Sequence, residues 1–240
     1  MVRYMRVFSL FIVLCAVILV DASARAEALQ KADTYVLVHG ASGGAWDWRT
    51  VDKILTSRGH DVYRVTLSGL GEKVHLSRPD INLTTHIDDV ANTIIFEQLE
   101  KVVLVGHSYG GMVITGVMNK LPEKIKHTIF LDAAVPNHGM SAIDLWPRMK
   151  DYKVENGLVM FPWLIKGSVP PHDVPQSLQT LTEPVAFDKP AAKQLPVTYI
   201  PFIDNAQTGA VREKSDPSWL NAKARGWPIY TLVSDHNAQR

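Results

Sequence analysis

Residues 102–111, VVLVGHSYGG, constrain the fold more than any other stretch of this chain. The unbroken apolar row Val102, Val103, Leu104, Val105, bounded by Gly106, reads as a strand buried on both faces, as in the middle of a parallel sheet. A strand that turns at once into a helix at Gly-His-Ser-Tyr-Gly holds its middle residue strained, with the side chain lifted off the sheet. Ser108 is therefore a candidate nucleophile. Glycines at 106 and 110 remove Cβ atoms that would keep neighbouring backbone away. The helix-like stretch 112–118 then offers free N–H groups, which favour negative charge developing near Ser108.

The 240 residues, 46% hydrophobic and 20% charged, can bury one sizeable core. The first 26 stand apart from it. Arg3 and Arg6 precede the apolar run 7–20, and Ala22, Ser23, Ala24 and Ala26 follow. Basic, then apolar, then small residues make a secretory signal, and the run is short for a membrane span. Cleavage is expected after Ala24 or Ala26, giving a periplasmic or secreted protein with no stable membrane anchor. Cys15, the single cysteine, lies inside that run, so the mature chain would carry no thiol, disulfide or cysteine-based metal site. Removing residues 1–26 takes the formal charge from +1 to about −1. With no basic cluster besides, nucleic acid is not an expected partner.

The remaining stretches alternate between strand and helix. Residues 34–39 form a first strand that ends in His39, Gly40, Ala41, Ser42, and neither phosphate-loop spacing is present there. Helical spacing through Trp46, Trp48, Val51, Ile54 and Leu55 stops at Gly59, with both tryptophans expected in core and cavity wall. Residues 62–66 form a second strand. Thr85 and Asp88 suggest a capping box opening a helix through Leu99. His75 and His86 have no partner at metal-ligand spacing and read as surface or loop histidines. Strands at 127–132, 197–202 and 229–233 and a helix at 218–225 complete the rhythm. They imply right-handed β-α-β units in a doubly wound, mostly parallel sheet of about six strands. Residues 137–195, rich in proline and tryptophan, break it. They read as an irregular cap insertion with short helices, set between core segments 27–136 and 196–240.

Acyl transfer by a serine needs a base and a carboxylate to orient that base. His236, after the final strand, is the natural base, and His39 and His107 compete with it from the elbow region. Asp132 and Asp204 end neighbouring strands, and either could serve as the acid. The N–H groups of Ala41 and Tyr109 are candidate oxyanion donors. Gly40, His107, Trp146 and Trp163 are candidates for the pocket.

His39-Gly40-Ala41, Gly44-Ala45-Trp46, Leu67-Ser68-Gly69-Leu70-Gly71, residues 84–90, the elbow and Asp235-His236 together resemble the α/β-hydrolase superfamily. Within it the chain is similar to the plant methylesterase and hydroxynitrile lyase branch and to its bacterial carboxylesterase relatives. The resemblance is good over 34–136, poor over the cap and moderate over the last forty residues. It implies that Ser108 and His236 are catalytic, that Ala41 and Tyr109 form the oxyanion hole, and that no cofactor or metal is needed. Where the plant proteins place their acid, this chain has Asn205, with Asp204 one residue early. Asp132, with a proline four positions on, resembles instead the acid of haloalkane dehalogenases, and it is favoured here over Asp204. Lyases of this branch carry Thr and Lys where Gly40 and Asn237 stand. Relatives continue past the histidine into a helix, whereas this chain ends at Arg240, so an apolar sheet face is expected to be partly exposed. The expected function is hydrolysis of small hydrophobic esters through an acyl-enzyme. The alternatives are a non-catalytic ligand-binding protein, a lyase-like activity and acyl transfer to an alcohol or amine.

Overall fold

β1 (Thr34–Val38) and β3 (Val102–His107) pair in parallel at the centre of the sheet, and the register sets Val38 opposite Gly106. The structure, a computed structural model, describes residues 32–240. The expected signal segment 1–26 lies outside them. Outside the central pair lie β2 (Asp61–Val65), β4 (Ile125–Leu131) and β8 (Val197–Ile200), in the order β2-β1-β3-β4-β8, all parallel.

Alternation along the strands divides the core into two layers, because successive side chains point to opposite faces. Val36, Val38, Val102 and Leu104 face the main core. That side is covered by α2 (Leu83–Phe96) and α3 (Gly110–Lys120). Leu37, Val103 and Val105 face the other way, onto Trp48 and Val51 in the 3-10 turn and α1 (Arg49–Ser57). Helix α3 is buried on nearly every side, matching its apolar sequence. On the second face Ile129 and Leu131 remain half-buried.

Several local expectations change. The cap of α2 is Asn82, whose side chain accepts from Thr85 N, and no Thr85–Asp88 box forms. His86 is fully buried: its Nε2–H donates to Ser68 O at 3.0 Å and its Nδ1 accepts from the Tyr109 hydroxyl at 3.0 Å. Among the described residues the sheet has five strands. The sixth position is held only by a bridge from Ile229 to Tyr199 and by β10 (Leu232–Val233), parallel to β9 (Phe202–Ile203). Pro201 and Pro228, which carry no N–H, interrupt both partners there.

The cap region contains regular structure. β5 (Lys153–Glu155), β6 (Leu158–Met160) and β7 (Gln176–Ser177) form a small antiparallel sheet. Short helices α4 (Ala142–Leu145), α5 (Gln179–Thr182) and α6 (Pro190–Lys193) surround it. Beyond β9 lie α7 (Ala206–Ser215), which lacked an apolar period in the sequence, and α8 (Pro217–Ala224).

Candidate active site

Ser108 sits between the end of β3 and the start of α3 with φ +53°. An L-residue held in that left-handed region costs of the order of 1 kcal/mol, which the surrounding contacts must offset. A Cβ on Gly110 would lie 2.8 Å from the carbonyl oxygens of both Val38 and His39. Only glycine lets the elbow pack onto the end of β1. Behind it, Ser108 O accepts from Gly111 N at 3.0 Å and from Ala134 N at 2.9 Å, which ties the turn to the chain leaving β4.

His236 Nε2 is 3.0 Å from Ser108 Oγ, and His236 Nδ1 is 2.5 Å from Asp132 Oδ2. Asp132 follows β4, also at positive φ (+42°), with its N–H donating to Ile200 O at 2.8 Å. Its other oxygen, Oδ1, accepts from Phe202 N at 3.1 Å and from Arg212 Nη1 at 2.8 Å. Burial pushes the Asp132 carboxyl up, but the hydrogen bond from His236 and the Arg212 charge outweigh it and hold the group below the usual carboxylate range. Asp204, the other candidate, is exposed beyond β9 and makes no hydrogen bond or ion pair with His236.

The ring nitrogens of His107 and His39 bond elsewhere than to Ser108 Oγ. The His107 ring stands 4.7 Å from that of His236, centroid to centroid. Its Nε2–H donates to His236 O at 2.7 Å, and its Nδ1 accepts from Gln239 Nε2 at 3.1 Å. Burial pushes the His107 ring down to about 3, so it holds the backbone of His236 as a neutral group. His39 is also buried and pushed down, to about 4; it donates from Nδ1 to Gly40 O and accepts Leu67 N–H on Nε2. The first strand's exit is fixed by that ring.

Ala41 lines the cavity beside Ser108, and Gly40 packs against it: a Cβ there would lie 3.1 Å from Ser108 Cβ. Among the described residues, no hydrogen bond takes up the N–H of Ala41 or of Tyr109. The next residue, Ser42, is buried at φ +62°. Ser42 Oγ–H donates to Ala41 O at 2.6 Å and Ser42 Oγ accepts from Trp163 Nε1 at 2.8 Å. Ser42 N donates to Gln176 Oε1 at 2.9 Å, and Ser42 O accepts from Val174 N at 2.8 Å. Three of these four partners belong to the cap.

The cavity over Ser108 holds about 1050 Å³ and carries Leu145, Trp146, Met149, Tyr152 and Trp163 on its cap side. Phe161 stacks on Trp163 at 4.6 Å. Trp46 has moved from the expected core role to packing under the Arg240 guanidinium, 4.5 Å from the ring, while Trp48 is buried under the sheet. Arg240 also pairs with Asp47 at 2.8 Å and Asp173 at 3.1 Å. Arg212, Asp47 and Ser42 join the site without a motif in the sequence that marks them. The one local signal for Arg212 was Asn205, which caps α7 by accepting from Thr208 N. Among the described residues, no group of three or more His, Cys, Asp or Glu side chains could hold a metal ion, and no helix is long and apolar enough to cross a membrane.

A serine raised on a strand-to-helix elbow, a histidine within reach of it and a carboxylate behind that histidine match the pattern of one large fold family, whose sequence model covers residues 35–235. The chain belongs to the alpha/beta hydrolase family. Among alpha/beta hydrolases, it is 48% identical over 114 residues to a carbendazim hydrolyzing esterase of Nocardioides sp. (strain SG-4G), covering 48% of this chain and 47% of that protein. It is 39% identical over 105 residues to methylesterase 1 of Arabidopsis thaliana, covering 43% and 40% of the two chains. The chain thus spans about half or less of the curated relatives it matches. Two solved alpha/beta-hydrolase structures share its fold. One is an extracellular alpha/beta-hydrolase from a Paenibacillus species, with TM-score 0.67, 21% identity and coverage of 86% and 92%. The other is a methylesterase from Arabidopsis, with TM-score 0.65, 23% identity and the same coverage, 86% and 92%.

Proposed function

We propose that this chain is a serine carboxylesterase that hydrolyses small hydrophobic esters. The observation that supports this most is His236 lying between Ser108 Oγ at 3.0 Å and Asp132 Oδ2 at 2.5 Å. In this reading Ser108 Oγ attacks the ester carbonyl while His236 Nε2 accepts its proton. The tetrahedral oxyanion takes the free N–H groups of Ala41 and Tyr109. His236 returns the proton to the leaving alcohol, and a water activated by the same imidazole releases the acid from the acyl-serine. Asp132 stays ionised throughout, fixing the tautomer and stabilising the imidazolium. The aromatic cap side of the cavity suits an apolar acyl or aryl group. The relatives, a carbendazim hydrolyzing esterase and a methylesterase, agree with ester chemistry. Residues 1–26 supply the export signal, so the enzyme acts in the periplasm or outside the cell on a small-molecule substrate.

The test is hydrolysis of p-nitrophenyl acetate and butyrate by the chain beside Ser108→Ala. Turnover lost in the variant supports the reading. A folded parent that binds hydrophobic esters stoichiometrically without releasing product would replace the enzyme by a binding protein. Product analysis with an added alcohol separates hydrolysis from acyl transfer.

A further inference from the structure

Behind Asp132 stands a cation that the reaction as described does not use. Arg212, on α7, donates from Nη1 to Asp132 Oδ1 at 2.8 Å and to the carbonyl of Phe202. Its Nε and Nη2 both donate to Asp216 Oδ2, at 3.1 and 2.6 Å. Asp216 is itself held, because its Oδ1 caps α8 by accepting from Ser218 N at 2.9 Å. A continuous line of hydrogen bonds therefore runs from the cap of α8 through Asp216, Arg212, Asp132 and His236 to Ser108.

We propose that Arg212 is a positioning residue for Asp132: its guanidinium turns the carboxylate so that Oδ2 alone meets His236, and its charge, balanced by Asp216, sets the pH at which the His236–Asp132 pair takes up a proton. The proposal rests on the ester-hydrolysis reading above. A carboxylate has about four lone-pair directions, and one left half-satisfied can swing. Here Oδ1 is occupied by Phe202 N–H and Arg212, so rotation of the Asp132 carboxylate would break both contacts. A fixed positive charge at that distance also opposes a second positive charge on the imidazole. Arg212 thus trades some stabilisation of the imidazolium for a fixed carboxylate.

The other charged and titratable groups facing the pair leave Arg212 as the cation in contact with it. His107, on β3, is neutral, and burial raises the Tyr199 phenol on β8 above its ordinary range, so it too is neutral. Arg240 is engaged by Asp47 and Asp173. Asp235, beside His236, is exposed and accepts from Asn237 N at 2.7 Å.

The experiment uses the chain with Arg212→Met, Arg212→Lys and Asp216→Asn, the last keeping a good helix cap while removing the charge that faces Arg212. For each, kcat and KM on p-nitrophenyl acetate are measured from about pH 5 to about pH 8, and the His236 imidazole is titrated by NMR; these limits bracket an ordinary histidine. Arg212→Met is expected to lower kcat about tenfold with KM little changed, and to move the acid limb and the imidazole titration up by about half a pH unit. Arg212→Lys returns the limb towards the parent while kcat stays low, and Asp216→Asn moves the limb down. Opposite movement in the Met and Asn variants is the signature, since a merely structural lesion moves neither limb. Limbs and titrations that coincide with the parent, or shift the same way in both variants, overturn the proposal. Should Arg212→Met fail to fold, the Lys and Asn variants still decide it. Hydrolysis that survives Ser108→Ala overturns the functional reading instead, and the imidazole titration, which needs no turnover, still decides for or against Arg212.

Discussion

The indole N–H of Trp163 donates to Ser42 Oγ at 2.8 Å, so a side chain that walls the cavity also holds the loop carrying Ala41. Trp163→Phe keeps a ring to stack on Phe161 but removes the donor. One neutral hydrogen bond of this kind is worth about 1 kcal/mol, so kcat on p-nitrophenyl esters is expected to fall about fivefold. Ser42→Ala should lose a similar factor, and the double variant little more than either alone. Fully additive losses in the double-mutant cycle would show the two residues act independently.

Replacing Asp132 with Asn should lower kcat by about 10³ to 10⁴, because the amide orients the wrong tautomer of His236. Asp204→Asn, at an exposed site, should stay within about twofold of the parent. Steady-state kinetics on the same ester decides it, and the reverse ranking would move the acid role to Asp204.

Gly111 is set against the chain that leaves β4: a Cβ there would lie 2.1 Å from the carbonyl oxygen of Ala134. Backbone cannot yield that distance cheaply. Gly111→Ala is expected to destabilise the fold by about 2 kcal/mol or more, read as a lowered urea midpoint. An unchanged midpoint would mean that the elbow has slack this packing does not show.

Burial pushes His39 and His86 down to about 4 and His107 to about 3. The unfolded chain takes protons onto these rings near pH 6.5, whereas the folded chain resists until about 4 or below, so stability falls as pH drops through that window. Asp47, raised by burial to about 6, works the other way, since folded Asp47 keeps a proton that the unfolded chain has released. Three rings outweigh one carboxyl. Each ring costs at most about 2 kcal/mol at pH 5, and the urea midpoint should be clearly lower there than at pH 7. Equal midpoints would contradict this balance.

Export predicts a mature chain that starts at Arg25 or Glu27. Mass spectrometry of material recovered outside the cytoplasm reads this directly, and material still beginning at Met1 would remove the cleavage claim.

The elbow was legible in the sequence because its demands are local: a buried strand, two glycines and a helix start leave Ser108 one conformation. Between Asp132 and Asp204 the residues alone leave the choice open, and only the resemblance of Asp132 and its following proline to another family's acid favours Asp132. Asp132 leaves β4 through a left-handed turn and meets His236, whereas Asp204 lies beyond β9, outside the five-stranded sheet, and is exposed. His86 looked like a surface residue because its partners, Ser68 and Tyr109, lie 18 and 23 residues away. Helix α7 has Val211 as its one large apolar residue, so no apolar period announced it, and Arg212 stayed hidden with it. The last strand was overread, because Ile229 and Tyr230 suit a strand while Pro228 and Pro201 interrupt its pairing.

In the sheet order, the segments carrying Ala41, Ser108 and Asp132 leave three consecutive strands, β1, β3 and β4. Ser108, Asp132 and the loop carrying Ala41 thus come from one contiguous block of the core, while the aromatic side of the cavity comes from the insertion beyond it. Descent can rewrite the insertion and alter which molecules fit while leaving Ser108, Asp132 and His236 in place. The crosspiece from Ser42 to Trp163, Val174 and Gln176 limits that freedom: any replacement cap must still grip the loop at Ser42.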